Sequence, residues 1–139
     1  DWEHVRDHTE DIVDTYDIRP PEVDTEGHSL SGGNQQKFVV GREFERDPDL
    51  LVAAHPTRGV DVGSMEFIHR RLLELRDEGK AVLLVSSKLD EVQQLSDRLA
   101  VISGGEFTAV VDPDEVTEEE IGLYMGGERE QPAADGGTR

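Results

Sequence analysis

Apolar residues follow two kinds of spacing along the chain. Residues 1–16 and 62–78 carry apolar side chains three or four positions apart, which predicts two amphipathic helices. Residues 50–54 and 81–85 are apolar throughout and bounded by turn residues, which is typical of buried strands. Residues 88–96 return to helical spacing. The order of strand, helix, strand and helix predicts a right-handed crossover and a parallel sheet.

The C-terminal part of the chain has a different pattern. Residues 99–102 and 107–111 are apolar and flank Ser103-Gly104-Gly105-Glu106, which is a hairpin signal. Thr117-Glu118-Glu119-Glu120 has the spacing of a capping box and predicts the start of a last short helix. Residues 126–139 are rich in Gly, Pro, Ala and charge, and we expect them to be a disordered tail.

One short stretch before the first strand predicts a binding site. Ser31 is a good helix N-cap, and Gly32 and Gly33 allow the backbone to come close to a ligand. Residues 34–44 then read as a helix. A glycine pair at a helix start leaves N–H groups unpaired at the positive end of the helix dipole, which favours an anion.

The full string of residues 30–37, Leu-Ser-Gly-Gly-Asn-Gln-Gln-Lys, resembles the signature motif of ATP-binding-cassette (ABC) transporter ATPases. Its Asn-Gln-Gln-Lys ending is similar to the tandem ATPases of sugar and nucleoside importers. The resemblance implies an α/β fold, a partial P-loop NTPase with parallel strands, helices and a C-terminal antiparallel hairpin. It implies that residues 1–46 are a remnant of the helical subdomain and contain the signature helix. Residues 47–125 would be the C-terminal part of the ABC ATPase core, followed by the tail at 126–139.

Several family motifs are altered or missing. The 139 residues contain no phosphate-binding Gly-x-x-x-x-Gly-Lys-Ser/Thr loop. The family's Walker B strand ends in Asp-Glu before Pro-Thr, whereas this chain has Ala54-His55 before Pro56-Thr57. Ser87 stands where the family has a switch histidine. We therefore expect no catalytic residue and no metal ligand in this chain, and no ATP hydrolysis by the chain alone.

The family binds two ATP molecules between two halves arranged head to tail. The resemblance therefore implies that this chain comes from the second, degenerate half and completes an ATP site whose Mg²⁺ is held by a complementary ABC ATPase half. Transmembrane permease subunits are the other expected partners, at the inner face of the cell membrane. The alternatives are a non-enzymatic interaction module and a truncated, inactive remnant. The expected ATP-binding residues are Ser31, Gly32, Gly33, Asn34, Gln35 and Asp61.

Composition adds three expectations. The formal charge of the chain is −18, and the acidic residues are dispersed along it. A surface that binds nucleic acid needs clustered positive charge, so we expect no nucleic-acid partner. Cysteine is absent, and no apolar run is long enough for a membrane span, so the cytoplasm is the expected location. Only three of the 14 basic residues are lysine. High acid content with little lysine indicates a halophilic protein, adapted to a cytoplasm in which salt screens self-repulsion.

We expect the free energy of unfolding to rise when KCl is raised from about 0.1 M to about 1 M, because the screening length falls from about 10 Å to about 3 Å. Urea unfolding followed by circular dichroism at each salt concentration measures this. A parallel series in sucrose separates charge screening from solute exclusion. Full stability in dilute buffer would refute the halophilic interpretation.

Overall fold

Residues 1–130 are described by the structure, a computed structural model, and they divide into a unit that ends at Val85 and a unit that begins at Ser86. Within these residues no helix is both long and apolar enough to cross a membrane. The elements of the first unit are α1 (Trp2–Thr15), α2 (Gly32–Phe44), β1 (Leu50–Ala54), α3 (Val62–Asp77) and β2 (Ala81–Val85). Those of the second are α4 (Leu89–Leu95), β3 (Leu99–Ser103), β4 (Glu106–Val111) and α5 (Glu118–Met125).

The predicted helices and strands are all present, and their α/β arrangement is confirmed. The main difference lies at α2, which begins at Gly32 and not at residue 34. Ser31 is the N-cap, so the glycine pair forms the first turn of the helix instead of the loop before it. Two short 3-10 helices, Gly27–Ser29 and Pro113–Glu115, lie outside the predicted helices and strands.

β1 and β2 pair in parallel, from Leu50 opposite Ala81 to Ala54 opposite Val85. The parallel pairing predicted from the two apolar runs is therefore confirmed. Helix α3 packs against β2 and contributes Ile68, which has no solvent exposure. The crossover helix thus buries its apolar stripe, as its spacing predicted.

The two faces of this strand pair differ. Alternate β1 residues such as Leu51 are buried, whereas Leu50 and Val52 are each 59% exposed and Leu83 is 54% exposed. Paired residues of a parallel ladder share a face, so these exposed side chains form one apolar surface. Parallel sheets are normally covered on both faces. In the described part of the chain this surface is open.

Helices α1 and α2 pack closely at Gly41. A Cβ built on Gly41 would lie 2.8 Å from Ile12 Cγ2 and 2.9 Å from Tyr16 Cδ2. Both neighbours are buried, so neither side chain has free space into which it could move. Glycine is needed here because the backbone of α2 touches the side chains of α1.

A polar cluster joins the ends of α1 and α2 to α3. The Tyr16 hydroxyl donates to Glu45 Oε1 at 3.0 Å, and Arg71 Nη2 donates to the same oxygen at 3.1 Å. Burial of the ring is the main reason why the pKa of Tyr16 is raised to about 12. Tyr16 therefore stays a protonated donor at neutral pH.

The second unit contains the predicted hairpin. Gly104 and Gly105 have φ values of 58° and 84° in the turn between β3 and β4. Positive φ at both central residues is what the type I′ turn of a two-residue hairpin requires. The register shifts after Val101, and the extra residue Thr108 donates its buried hydroxyl to the Val101 carbonyl at 3.3 Å.

Helix α5 begins with the predicted capping box, in which Thr117 and Glu120 bond to each other's backbone N–H. After α5, the Glu130 N–H donates to the Thr108 carbonyl at 3.0 Å. The tail was predicted over residues 126–139, of which residues 131–139 lie outside the described range.

We expect Gly41→Ala to lower the free energy of unfolding by about 1–3 kcal/mol, because the added methyl group overlaps two buried side chains of α1. Urea unfolding of the purified chain measures the change. Gly122→Ala in α5 is the matched control, since a Cβ there meets nothing within 4 Å. The control is expected to be stabilising by up to about 1 kcal/mol, because alanine is the better helix former. An equal response of both variants would contradict this account of the α1–α2 contact.

Candidate functional site

The first turn of α2 forms an anion-binding geometry. Ser31 has extended backbone angles, and its Oγ accepts from the Asn34 N–H at 3.4 Å. The other first-turn N–H groups, at Gly32 and Gly33, have no acceptor within a regular helix. Gly32 is exposed, and a Cβ built on it meets no atom within 4 Å. An acceptor-rich ligand such as a phosphate can therefore approach the backbone directly at this point.

The amide side chains of Asn34 and Gln35 are engaged within the chain. Asn34 Nδ2 donates to Ser31 Oγ at 3.0 Å, and Asn34 Oδ1 accepts from the Arg19 N–H at 3.0 Å. Gln35 Nε2 donates to the carbonyls of Gly27 and Leu30, each at 3.1 Å. Direct contact of these two residues with ATP stays a prediction, and the structure gives them bonds that hold the segment before α2.

The first turn of α2 also contacts the β1–α3 loop (residues 55–61). Gln36 Nε2 donates to the Pro56 carbonyl at 2.9 Å. A Cβ built on Gly33 would lie 3.4 Å from the Gly59 carbonyl oxygen. The structure thus brings the Gly32–Gly33 turn beside this loop. Sequence reasoning missed Gln36, although three consecutive amides at a helix start are a signal that several neighbouring backbone groups need partners.

Asp61 ends the β1–α3 loop and is the N-cap of α3. Its carboxylate accepts from the Ser64 N–H at 2.9 Å and from the Ser64 hydroxyl at 2.7 Å. These bonds are the main reason why the pKa of Asp61 is lowered, with a small contribution from the charge of Lys37. Asp61 is therefore a carboxylate that caps α3, at the end of the loop whose Gly59 lies beside the α2 turn.

The end of β1 carries no carboxylate. Ala54 is exposed, and His55 has a positive φ of 49°. The His55 N–H extends the strand pairing by donating to the Val85 carbonyl at 2.8 Å. His55 is exposed, and neither it nor Ala54 offers the carboxylate oxygens that Mg²⁺ prefers. Among residues 1–130, no group of three His, Asp or Glu residues is arranged to hold a metal ion.

Ser87 follows β2, at the position compared with the switch histidine. It is exposed, and the neighbouring Ser86 Oγ accepts from the Lys88 N–H at 3.1 Å. A serine hydroxyl lacks the near-neutral pKa that lets histidine exchange protons. Ser87 therefore supplies no group suited to acid–base catalysis at the end of β2.

Curated proteins with similar sequences are ATP-binding components of importers. The guanosine import ATP-binding protein NupO of Bacillus subtilis is 54% identical over 122 residues, which are 88% of this chain and 24% of that protein. The nucleoside import ATP-binding protein NupA of Lactococcus lactis is 46% identical, over 91% of this chain and 25% of that protein. The chain thus spans about a quarter of the length of these relatives. No protein-family model matches the sequence.

Solved structures with the same fold are ABC ATPase cassettes. The dimeric bacterial ABC transporter cassette MJ0796 superposes with a TM-score of 0.71 at 21% identity, over 81% of this chain and 49% of that chain. The ADP conformation of the cassette MJ1267 gives a TM-score of 0.59 at 27% identity, over 86% of this chain and 45% of that chain. The likeness to MJ0796 shows the fold alone.

We expect Gly32→Ala to separate folding from phosphate binding. Alanine is a better helix former than glycine, so the free energy of unfolding is expected to stay the same or to rise by up to about 1 kcal/mol. The methyl group would occupy the open space beside the first-turn N–H groups, so the affinity for a phosphate ligand is expected to fall. Urea unfolding and equilibrium binding of an ATP analogue to the assembled complex measure the two effects. Unchanged affinity would contradict a ligand approach at Gly32.

Proposed function

Because this chain belongs to the ABC import ATP-binding proteins over the segment that it shares with them, we propose that it completes an ATP site held mainly by a complementary ATPase half. The transporter would import a simple sugar or a nucleoside, and the names of the two relatives reported above favour a nucleoside. The observation that carries the proposal is the first turn of α2, where Ser31 and Gly32 are exposed and a Cβ built on Gly32 meets no atom within 4 Å. The Gly32 and Gly33 N–H groups have no acceptor within a regular helix.

The residues at this turn fit a phosphate group. Phosphate oxygens only accept hydrogen bonds at neutral pH, and the turn offers a hydroxyl and backbone N–H groups. The helix dipole adds a favourable partial positive charge. No Gly-Lys-Ser/Thr sequence occurs in the 139 residues, so the β- and γ-phosphates would be held elsewhere. The role of this chain would be to orient and stabilise a phosphate that another half binds.

The end of β1 supports a division of labour between the halves. Ala54 and His55 replace the two acids that the family uses near Mg²⁺ and water. We propose that the partner half holds the Mg²⁺ and activates the water, while Ser31, Gly32 and Gly33 supply hydrogen bonds in a seam from which water is excluded. Asn34, Gln35 and Asp61 would keep the turn and the adjacent loop in place.

The proposed assembly places the chain at the membrane without spanning it. A complementary ATPase half and transmembrane permease subunits would be its partners, at the cytoplasmic face of the membrane. MJ0796 is described as a dimer, which supports pairing between cassettes. The names of the relatives describe import, which supports a permease partner.

A second candidate is a non-enzymatic interaction module that binds the same partners without affecting ATP hydrolysis. The absence of acids at Ala54 and His55 favours it, because this chain cannot perform the family's chemistry at its own strand end. The two candidates differ in whether Ser31 matters for hydrolysis, and not in whether the complex forms.

We expect Ser31→Arg to abolish ATP hydrolysis by the assembled complex, because the bulky side chain would fill the space in front of the α2 turn and remove the hydroxyl. Phosphate release measures the rate, and co-purification with the partner half shows whether the complex still forms. Ser29→Arg is the matched control, because Ser29 is also exposed but lies in the 3-10 helix before α2. An intact complex with an unchanged rate would refute the proposed function and support the interaction module.

A further inference from the structure

We propose that Asn34 is a positioning residue that makes the Ser31 hydroxyl a dedicated hydrogen-bond donor toward ATP. The inference rests on the proposed function, since it explains how Ser31 would present its hydrogen to a phosphate oxygen. The distances involved are 3.0 Å from Asn34 Nδ2 to Ser31 Oγ and 3.0 Å from the Arg19 backbone nitrogen to Asn34 Oδ1. Asn34 would act through Ser31 and need not touch the nucleotide.

The orientation of the Asn34 amide follows from its second contact. A backbone N–H can only donate, so the atom of Asn34 that faces the Arg19 N–H must be the acceptor Oδ1. The donor Nδ2 then faces Ser31 Oγ. The contact with the segment between α1 and α2 therefore decides that Ser31 receives a hydrogen bond from Asn34 and does not give one to it.

Ser31 Oγ accepts twice. The first hydrogen bond comes from Asn34 Nδ2 at 3.0 Å, and the second comes from the Asn34 N–H at 3.4 Å as the N-cap bond. A hydroxyl oxygen has two lone pairs and one hydrogen. Because both lone pairs of Ser31 Oγ are engaged, the hydroxyl can form a further hydrogen bond only by donating its own hydrogen. A phosphate oxygen, which only accepts, is the matching partner.

Helix α5 provides an internal comparison. Its N-cap Thr117 has Glu120 at the position that Asn34 occupies relative to Ser31. The Thr117 hydroxyl donates to Glu120 Oε2 at 2.8 Å, so its hydrogen is already used. An acidic residue at this position therefore consumes the hydroxyl hydrogen, whereas the Asn34 amide leaves it available. The two helices therefore begin with the same kind of cap, but the Ser31 hydroxyl can still donate to a ligand, whereas the Thr117 hydroxyl cannot.

A double-mutant cycle tests whether Asn34 acts through Ser31. Asn34→Ala, Ser31→Ala and the double variant are compared in the assembled complex, with the equilibrium affinity for trinitrophenyl-ATP and Mg²⁺ as the readout. Asn34→Ala is expected to weaken binding about five- to tenfold when Ser31 is present, the size of one net hydrogen bond. In the Ser31→Ala background the same change is expected to weaken binding less than twofold.

A control and a second variant separate positioning from folding. Gln36→Leu removes a different hydrogen bond from the same helix turn, to Pro56, and is expected to have the same effect with or without the Ser31 hydroxyl. Asn34→Glu would recreate the cap of α5. It is expected to keep or raise the melting temperature of the purified chain while weakening nucleotide binding more than Asn34→Ala does.

The outcomes distinguish this inference from the proposed function. An equal loss of affinity from Asn34→Ala in both backgrounds, or no loss in either, would overturn the positioning role of Asn34. In that case a strong effect of Ser31→Ala would leave the proposed function standing. If Ser31→Ala and Ser31→Arg both leave affinity and hydrolysis unchanged, both proposals are overturned.

Discussion

The first turn of α2 is fixed by three consecutive amide side chains, each bonded to a different group outside the regular helix. Asn34 bonds to the Arg19 N–H and to the capping hydroxyl, Gln35 to the carbonyls before the helix, and Gln36 to the loop after β1. Apart from the capping hydroxyl, the partners of these amides are backbone groups of neighbouring segments that lie outside the repeating hydrogen bonds of α2. The segment after α1, the residues just before α2 and the β1–α3 loop all bond to this one turn. Its N–H groups therefore have a defined direction, which a phosphate site requires.

Under the proposed function, the chain would contribute to only one part of the chemistry of ABC ATPases. The turn at Gly32 has donors and open space, whereas the strand end at Ala54 and His55 has no acid for a metal ion or a water molecule. Hydrogen-bond donors can stabilise a phosphate that is bound elsewhere, but a missing base cannot be replaced by them. A complex in which one half binds and hydrolyses while the other orients is therefore chemically consistent with these residues.

The two N-caps illustrate how one side chain three residues into a helix changes the chemistry of the cap. At α5, the Glu120 carboxylate takes the hydroxyl hydrogen of Thr117, and the result is a closed structural cap. At α2, the Asn34 amide donates to the hydroxyl of Ser31 and leaves its hydrogen available. Both arrangements satisfy the helix start, but only the second leaves a donor that a ligand can use.

Local sequence determined the elements of this protein. Helical and strand spacing located the helices and strands, Gly104-Gly105 specified the hairpin turn, and Thr117 with Glu120 specified a cap, because each of these signals acts between near neighbours. The altered residues at Ala54 and His55 were also visible in the sequence alone. Tertiary structure decided which groups the Asn34 and Gln36 amides bind. Asn34 and Arg19 are 15 residues apart and Gln36 and Pro56 are 20 apart, so these bonds depend on how helices and loops pack and leave no periodic trace in the sequence.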